Sequence, residues 1–276
     1  MSYFKNQEGY SLYYEDINSD SKKCTIILLH GFSSSASFFK QQIKILKNFY
    51  RIIAFDALGH GRSDHPKTLN LIKNLRYDTI RDLEDLLKFL NIKEKYGIIG
   101  HSLVGGMIAQ LICMKNPENI KFLILLNSGY IMIDNVIRNM FYNLLPYDIR
   151  MNFLDIVANS VENILDKTIP YIITALSNSN HNINLSKDEL YMRIEDQIFR
   201  MINEIKEYEN SINIHCPTLI IGGRLDNFAP EAMSEELNKM IPNSKLKIID
   251  MAGHFAPAQR ADVINKLICN FISSLE

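Results

Sequence analysis

The chain of 276 residues is 47% hydrophobic and carries 30 Lys and Arg against 31 Asp and Glu, a formal charge of -1. At about 150 residues per domain this length holds one or two domains, and folding it buries roughly three-quarters of the surface the unfolded chain exposes. A charge so close to zero, with no long run of one sign, argues against nucleic acid or an anionic membrane surface as the main partner and leaves small molecules as the default.

The N-terminus, MSYFKNQEGYSLYYEDINSD, interrupts each apolar stretch with charges and tyrosines before a signal-peptide core can form, so secretion is not expected. Within it, YFK and YSLYYE flank Gln7-Glu8-Gly9, the pattern of an antiparallel hairpin at a sheet edge. Short apolar, β-branched runs follow: TIILL at 25–29, RIIAF at 51–55, GIIG at 97–100, FLILL at 122–126, TLIIG at 218–222 and LKII at 246–249. Each reads as a strand buried on both faces, as in a parallel sheet. Helical spacing separates them, in FFKQQIKILKNF at 38–49 and YDTIRDLEDLLKFLNI at 77–92. In the second, Ile80, Leu83, Leu87 and Leu90 form one stripe, with Arg81, Asp82, Glu84, Asp85 and Lys88 opposite. Strand and helix alternate, so the expected class is α/β, a doubly wound, mostly parallel sheet.

That alternation breaks after FLILLNSG. Residues 130–212 contain no convincing strand and read as amphipathic helices punctuated by Pro146, Pro170 and the polar stretch SNSNHNIN. The expected organisation is a core of residues 1–129 and 213–276 with a helical cap, 130–212, inserted after the sixth strand. The cap is rich in Met, Ile, Phe and Tyr, including Met132, Phe141, Tyr171 and Phe199, some of which should line a pocket. No run approaches the roughly 20 apolar residues of a membrane span. The four cysteines, Cys24, Cys113, Cys216 and Cys269, are scattered without a Cys-x-x-Cys pair, which reads as reduced, mostly buried thiols in a cytoplasmic protein.

GIIG runs directly into His101-Ser102-Leu103-Val104-Gly105-Gly106 and then into MIAQLICMK, so a serine stands between a strand and a helix. Such a turn exposes the hydroxyl, and the helix N-terminus offers positive potential to a developing oxyanion. On these residues the chain resembles the α/β-hydrolase family, whose nucleophile turn reads Gly-x-Ser-x-Gly. Gly100 stands two residues before Ser102, but Val104 stands two after it, and the glycines follow at 105 and 106. Either Val104 is tolerated by a local adjustment, or one residue is inserted before the Gly-Gly pair and the first helical turn is shifted; GGMIAQ, which resembles the family's sequence after the turn, favours the second.

A serine needs a general base held by a third group. TLIIG leads into Gly223-Arg224-Leu225-Asp226 and on to Pro230, similar to the family's Gly-x-x-Asp-x-x-x-Pro turn, and LKII leads into Asp250-Met251-Ala252-Gly253-His254, where Gly-His is similar to the family's base position. The resemblance implies Ser102 as nucleophile, His254 as base and Asp226 as orienting acid, in the order expected for the fold. Asp250 ranks second as the acid, because it lies on the strand leading to the base. The same resemblance implies an oxyanion hole of two backbone N–H groups, from Leu103 and, in the His30-Gly31-Phe32 turn, from Phe32. The loop Asp56-Ala57-Leu58-Gly59-His60-Gly61-Arg62-Ser63-Asp64 matches a family signature and is given a structural role.

No cofactor and no metal is expected. Gly100-x-Ser102-x-x-Gly105 looks like a degenerate dinucleotide turn, but FLILL ends in Asn127-Ser128, with no acid to hold a ribose, and no His-Glu-x-x-His cluster appears. The expected function is a serine hydrolase cleaving a small or medium apolar ester-type substrate through an acyl-enzyme on Ser102. Serine at this position argues against the family's dehalogenases and epoxide hydrolases, which the resemblance says use aspartate there. The alternatives are a ligand-binding protein with little turnover, to which Val104 points, or a hydrolase of C–C bonds, thioesters or lactones.

Overall fold

The computed structural model describes residues 2–20, 24–31, 34–64, 75–129 and 213–276. The chain divides into two units, one of Met1–Leu69, Arg76–Tyr130 and Asn210–Glu276 and one of Asn70–Leu75 and Ile131–Glu209, and every described residue except Leu75 falls in the first. The expected cap, 130–212, lies outside the described residues, as does Phe32.

Eight strands form one sheet: β1 (Ser2–Lys5), β2 (Ser11–Ile17), β3 (Thr25–Leu29), β4 (Arg51–Phe55), β5 (Tyr96–His101), β6 (Ile120–Leu126), β7 (Thr218–Gly223) and β8 (Ser244–Ile249). Their order is β1-β2-β4-β3-β5-β6-β7-β8. The N-terminal hairpin is present: β1 pairs with β2 and β2 with β4, both antiparallel, and all other pairings are parallel. The helices are α1 (Lys40–Leu46), preceded by a 3-10 turn at Ala36–Phe39, then α2 (Leu75–Phe89), α3 (Ser102–Lys115), α4 (Glu231–Met240), α5 (Ala256–Gln259) and α6 (Ala261–Ser273).

The period of two in a strand divides the aliphatic runs between two cores. Ile27, Leu29, Ile98, Leu123, Leu125 and Ile220 face α2, α3 and Leu237 of α4. Their neighbours Ile26, Leu28, Ile99, Phe122, Ile124 and Ile221 face Phe39, Leu46 and the α6 residues Ile264, Ile268 and Phe271. Helices therefore cover both faces, the doubly wound arrangement expected. Each fully buried Leu, Ile or Phe contributes about 1.5–3 kcal/mol, so this double core is the main support for the loops at its end.

Three sequence readings need correction. β8 is not buried on both faces: Lys245 and Lys247 are exposed, and only Ile249 is fully buried. The strand ends the described sheet, where lysines discourage edge-to-edge pairing. Asp82 is not on the solvent side of α2; it is buried beside Leu83 and Leu86 and accepts a hydrogen bond from Asn6 Nδ2 at 3.0 Å. At 100° per residue it shares a face with Leu86 one turn on, and the Asn6 amide satisfies one oxygen of the carboxylate there. Of the thiols, only Cys113 is fully buried; Cys24, Cys216 and Cys269 are half-buried, and all four are unbridged.

Candidate active site

Because β3 and β5–β8 run parallel, the turns that leave them collect at one end of the sheet. Those turns carry His30 and Gly31 after β3, Ser102 after β5, Asn127 after β6, Asp226 after β7 and His254 after β8.

Ser102 is the first residue of α3 and has φ 65°, the left-handed region that a serine rarely occupies. Such a conformation costs about 1–3 kcal/mol and persists only where its surroundings over-determine it. Here they do. A Cβ on Gly105 would lie 2.4 Å from Leu29 O and 2.5 Å from His30 O, and one on Gly100 would lie 2.6 Å from Gly105 O, so strand and helix approach as closely as backbone allows. Val104 takes no part in that contact. It is half-buried against the α2–α3 core, in a helix that runs unbroken from Ser102 to Lys115. The first turn contains no extra bulged residue, so of the two accounts of Val104 the helix fits the one in which valine is accommodated where it stands.

Three of the expected site residues form one hydrogen-bonded chain. His254 Nδ1 lies 2.9 Å from Asp226 Oδ2 and 3.1 Å from Oδ1, and His254 Nε2 lies 2.8 Å from Ser102 Oγ. A carboxylate only accepts, so the imidazole proton is assigned to Nδ1 and Nε2 is left to accept from the serine hydroxyl. The Asp226 side chain is 0% exposed and also accepts from the Phe228 and Ala229 amides at 2.8 and 2.9 Å. Burial pushes its carboxyl up, but the hydrogen bond and charge of His254, with the Ala229 and Asn127 donors, outweigh that and hold it below the ordinary carboxylate range. Asp250, the rival acid, is 77% exposed and faces Arg224, whose Nε donates to it at 2.6 Å.

Leu103 is the second residue of α3, so its N–H is among the first-turn amides that lack a partner within the helix. Phe32, the other expected donor, lies outside the described residues. Its neighbour Gly31 is against the serine: a Cβ there would come within 2.7 Å of Ser102 Cβ and 3.3 Å of Oγ. Asp56 of the structural loop is buried and accepts from the Ala36 and Arg62 amides at 2.6 and 2.8 Å, which ties that loop to the residues following β3.

Two further residues of this cluster escaped sequence reasoning. His101 donates from Nε2 to the carbonyl of His254 at 3.0 Å and stacks on Phe38 at 4.1 Å between ring centroids. Burial, and then the neighbouring His254, push it down to about 3, so it stays neutral. His30 is likewise neutral: burial pushes it down to about 4, its Nε2 accepts from the Ala57 amide and its Nδ1 donates to Gly31 O. The second residue is Asn127, fully buried with φ 49°, which donates to Asp226 Oδ2 at 2.9 Å. The one available signal was an asparagine, the residue type that best tolerates φ > 0 after glycine, at the end of a buried strand. Phe228 and Phe255 pack beside the His254 ring at 5.0 and 5.6 Å and shield it from water.

A sequence model described as the alpha/beta hydrolase fold matches residues 25–261. The chain belongs to the alpha/beta hydrolase fold family. Among its relatives in the family is a hydrolase of Bacillus subtilis, YugF, 28% identical over 279 aligned residues that cover 96% of this chain and 95% of the relative. Human epoxide hydrolase 4 is 26% identical, with 91% of this chain and 72% of that protein covered. A thermophilic esterase from Thermogutta terrifontis has the same fold, with a TM-score of 0.72 at 19% identity over 100% of this chain and 99% of that one. Among the described residues, no group of three or more His, Cys, Asp and Glu is arranged to hold a metal ion, and no helix is long and apolar enough to cross a membrane.

Proposed function

We propose that this member of the hydrolase fold is a serine hydrolase acting on small or medium apolar esters, with Ser102 as nucleophile, His254 as base and Asp226 as orienting acid. The observation that carries the reading is the chain of hydrogen bonds from Ser102 Oγ through the imidazole to a buried carboxylate, on a serine held at φ 65°. His254 Nε2 takes the hydroxyl proton as Oγ adds to the acyl carbon, and the imidazolium that forms is stabilised by Asp226. The negative charge on the carbonyl oxygen meets the Leu103 amide and, by family resemblance, that of Phe32. The imidazolium then protonates the departing alcohol. A water molecule, deprotonated by the same histidine, releases the acid from the acyl-enzyme.

Epoxide chemistry is not carried over from the human relative, because serine stands where the resemblance places aspartate in the family's epoxide hydrolases. The apolar substrate is inferred from composition, since residues 130–212 are rich in Met, Ile, Phe and Tyr. The reading in which the protein binds without turnover rested on Val104, and it loses that motive once the valine is half-buried in a regular helix. The test is covalent labelling by a fluorophosphonate, followed by hydrolysis of p-nitrophenyl esters of rising chain length. Ser102→Ala is expected to abolish labelling and to lower ester turnover by about 10^4-fold or more. A folded wild-type protein that resists the probe overturns the proposal.

A further inference from the structure

Asn127 is placed to control the acid and the base together. It leaves β6 with its own N–H donating to Ile221 O of β7 at 2.7 Å, which fixes its backbone between two buried strands. From there its carboxamide nitrogen donates twice, to Asp226 Oδ2 at 2.9 Å and to the carbonyl of Gly253 at 3.1 Å. Gly253 immediately precedes His254, so one –NH2 group joins the turn that carries the acid to the turn that carries the base. Its Oδ1 is buried and has no hydrogen-bond partner among the described residues. The orientation follows from the partners: turning the amide over would set its oxygen against a carboxylate and a carbonyl, two acceptors with no proton between them. A buried oxygen left unsatisfied is a cost that a residue chosen only for packing would avoid. Asp226 Oδ2 has two close donors, His254 Nδ1 and the Asn127 amide, while Oδ1 is taken up by the Phe228 and Ala229 amides. Without Asn127, Oδ2 keeps only the imidazole as donor, and the carboxylate is held otherwise from its Oδ1 side alone, by the Phe228 and Ala229 amides.

We propose that Asn127 is a positioning residue that sets Asp226 and the Gly253–His254 backbone in register, so that the imidazole presents Nε2 to Ser102. The inference rests on the serine-hydrolase reading for its kinetic consequences, but not for its structural one. Two substitutions separate this role from a backbone one. Asn127→Gly keeps the left-handed turn and removes the amide. Asn127→Asp keeps the shape and exchanges two donors for an acceptor beside an existing carboxylate.

The experiment reads ester hydrolysis across pH together with the low-field proton resonance of an imidazole N–H bound to a carboxylate, recorded on substrate-free protein. In wild type that resonance is expected and is assigned by its loss in Asp226→Asn. Asn127→Gly is expected to lower kcat by about 10- to 100-fold with KM changed by less than about twofold, the loss of one hydrogen bond to a charged group, and to weaken or abolish the resonance. Asn127→Asp is expected to move the acid limb of the profile to higher pH by about one unit, because two neighbouring carboxylates share a proton. If Asn127→Gly proves unfolded by circular dichroism, the isosteric Asn127→Asp carries the test through its resonance and pH profile. Wild-type kcat and an unchanged resonance in Asn127→Gly overturn the inference, as does a wild type with no such resonance. If wild type turns over no ester but the resonance responds to both substitutions, the functional reading has failed and the positioning role stands.

Discussion

The body of the sheet and its carboxyl end follow opposite rules. Strands β3–β7 bury aliphatic and aromatic side chains on both faces, in conformations any such residue adopts readily. At their carboxyl ends and in the turns that follow, the chain buries His30, His101, Asn127 and Asp226 and holds Ser102 and Asn127 at φ values of 65° and 49°, and Met251 after β8 stands at 53°. Buried polar groups and left-handed backbone each cost stability, so the end of the sheet depends on the body for its support. Substitutions in the body should therefore change stability and leave the chemistry of the folded molecule alone, whereas those at the end should reach the chemistry, and stability as well where a close backbone contact or a buried histidine is involved.

The sharpest test uses the two aspartates of neighbouring turns. Asp226→Asn removes the charge that orients His254 and is expected to lower kcat/KM by about 10^4-fold. Asp250→Asn removes an exposed partner of Arg224, and the change should stay within about twofold, since surface ion pairs contribute about 0–1 kcal/mol. Ester kinetics on both variants decide the matter, and equal effects would erase the distinction between the two carboxylates.

A second contrast lies inside one helical turn. Gly105→Ala gains about 1 kcal/mol of helix propensity but sets a methyl group 2.4 Å from the Leu29 carbonyl, an overlap with backbone that costs about 3 kcal/mol. The overlap wins, and a net loss of about 2 kcal/mol is expected in urea denaturation. Val104→Gly restores the family's motif, yet it should cost about 0.4 kcal/mol by propensity, with a further loss from the half-buried isopropyl group, and leave phosphonate labelling at the wild-type rate. A glycine at 104 that accelerates labelling severalfold would show that the valine does hinder the serine.

The same division decides how much of the molecule is legible in its sequence. β3 and β4 begin and end where their aliphatic runs do, because burial on both faces leaves no polar residue to blur the ends. β8 was misread because an edge strand buries less than its isoleucines suggest, and Asp82 because a single buried carboxylate breaks the pattern of a helix stripe. Ser102, Asp226 and His254 each sit in a turn with a local signature, so residue type and order were enough to nominate them. Asn127 and His101 carry no such signature. Their roles consist of hydrogen bonds to residues 99 and 153 positions away, which only the closed sheet creates.

The last contrast concerns the two neutral histidines at the carboxyl end. His30 and His101 are held by burial at about 4 and about 3, whereas an unfolded histidine titrates near 6.5. Below that unfolded value the unfolded state binds protons that the folded state refuses, so stability falls as pH drops. The loss continues until each folded value is reached, near pH 4 for His30 and near pH 3 for His101, and above about pH 7 neither contributes a slope. Asp226 acts in a lower window: its depressed carboxyl adds stability above the ordinary carboxylate range, and that is lost only as pH falls through its folded value. Between about pH 6 and 4 each histidine therefore adds a slope of about 1.4 kcal/mol per pH unit, opposed in part by Asp56, whose carboxyl burial pushes above its ordinary range. His101→Asn keeps an N–H donor near the His254 carbonyl but cannot titrate, and it should halve the histidines' combined contribution to the slope of urea stability against pH in that window. An unchanged slope would mean that the end of the sheet admits enough water to charge His101 in place, and that its polar residues are less dependent on the dry body beneath them than their burial implies.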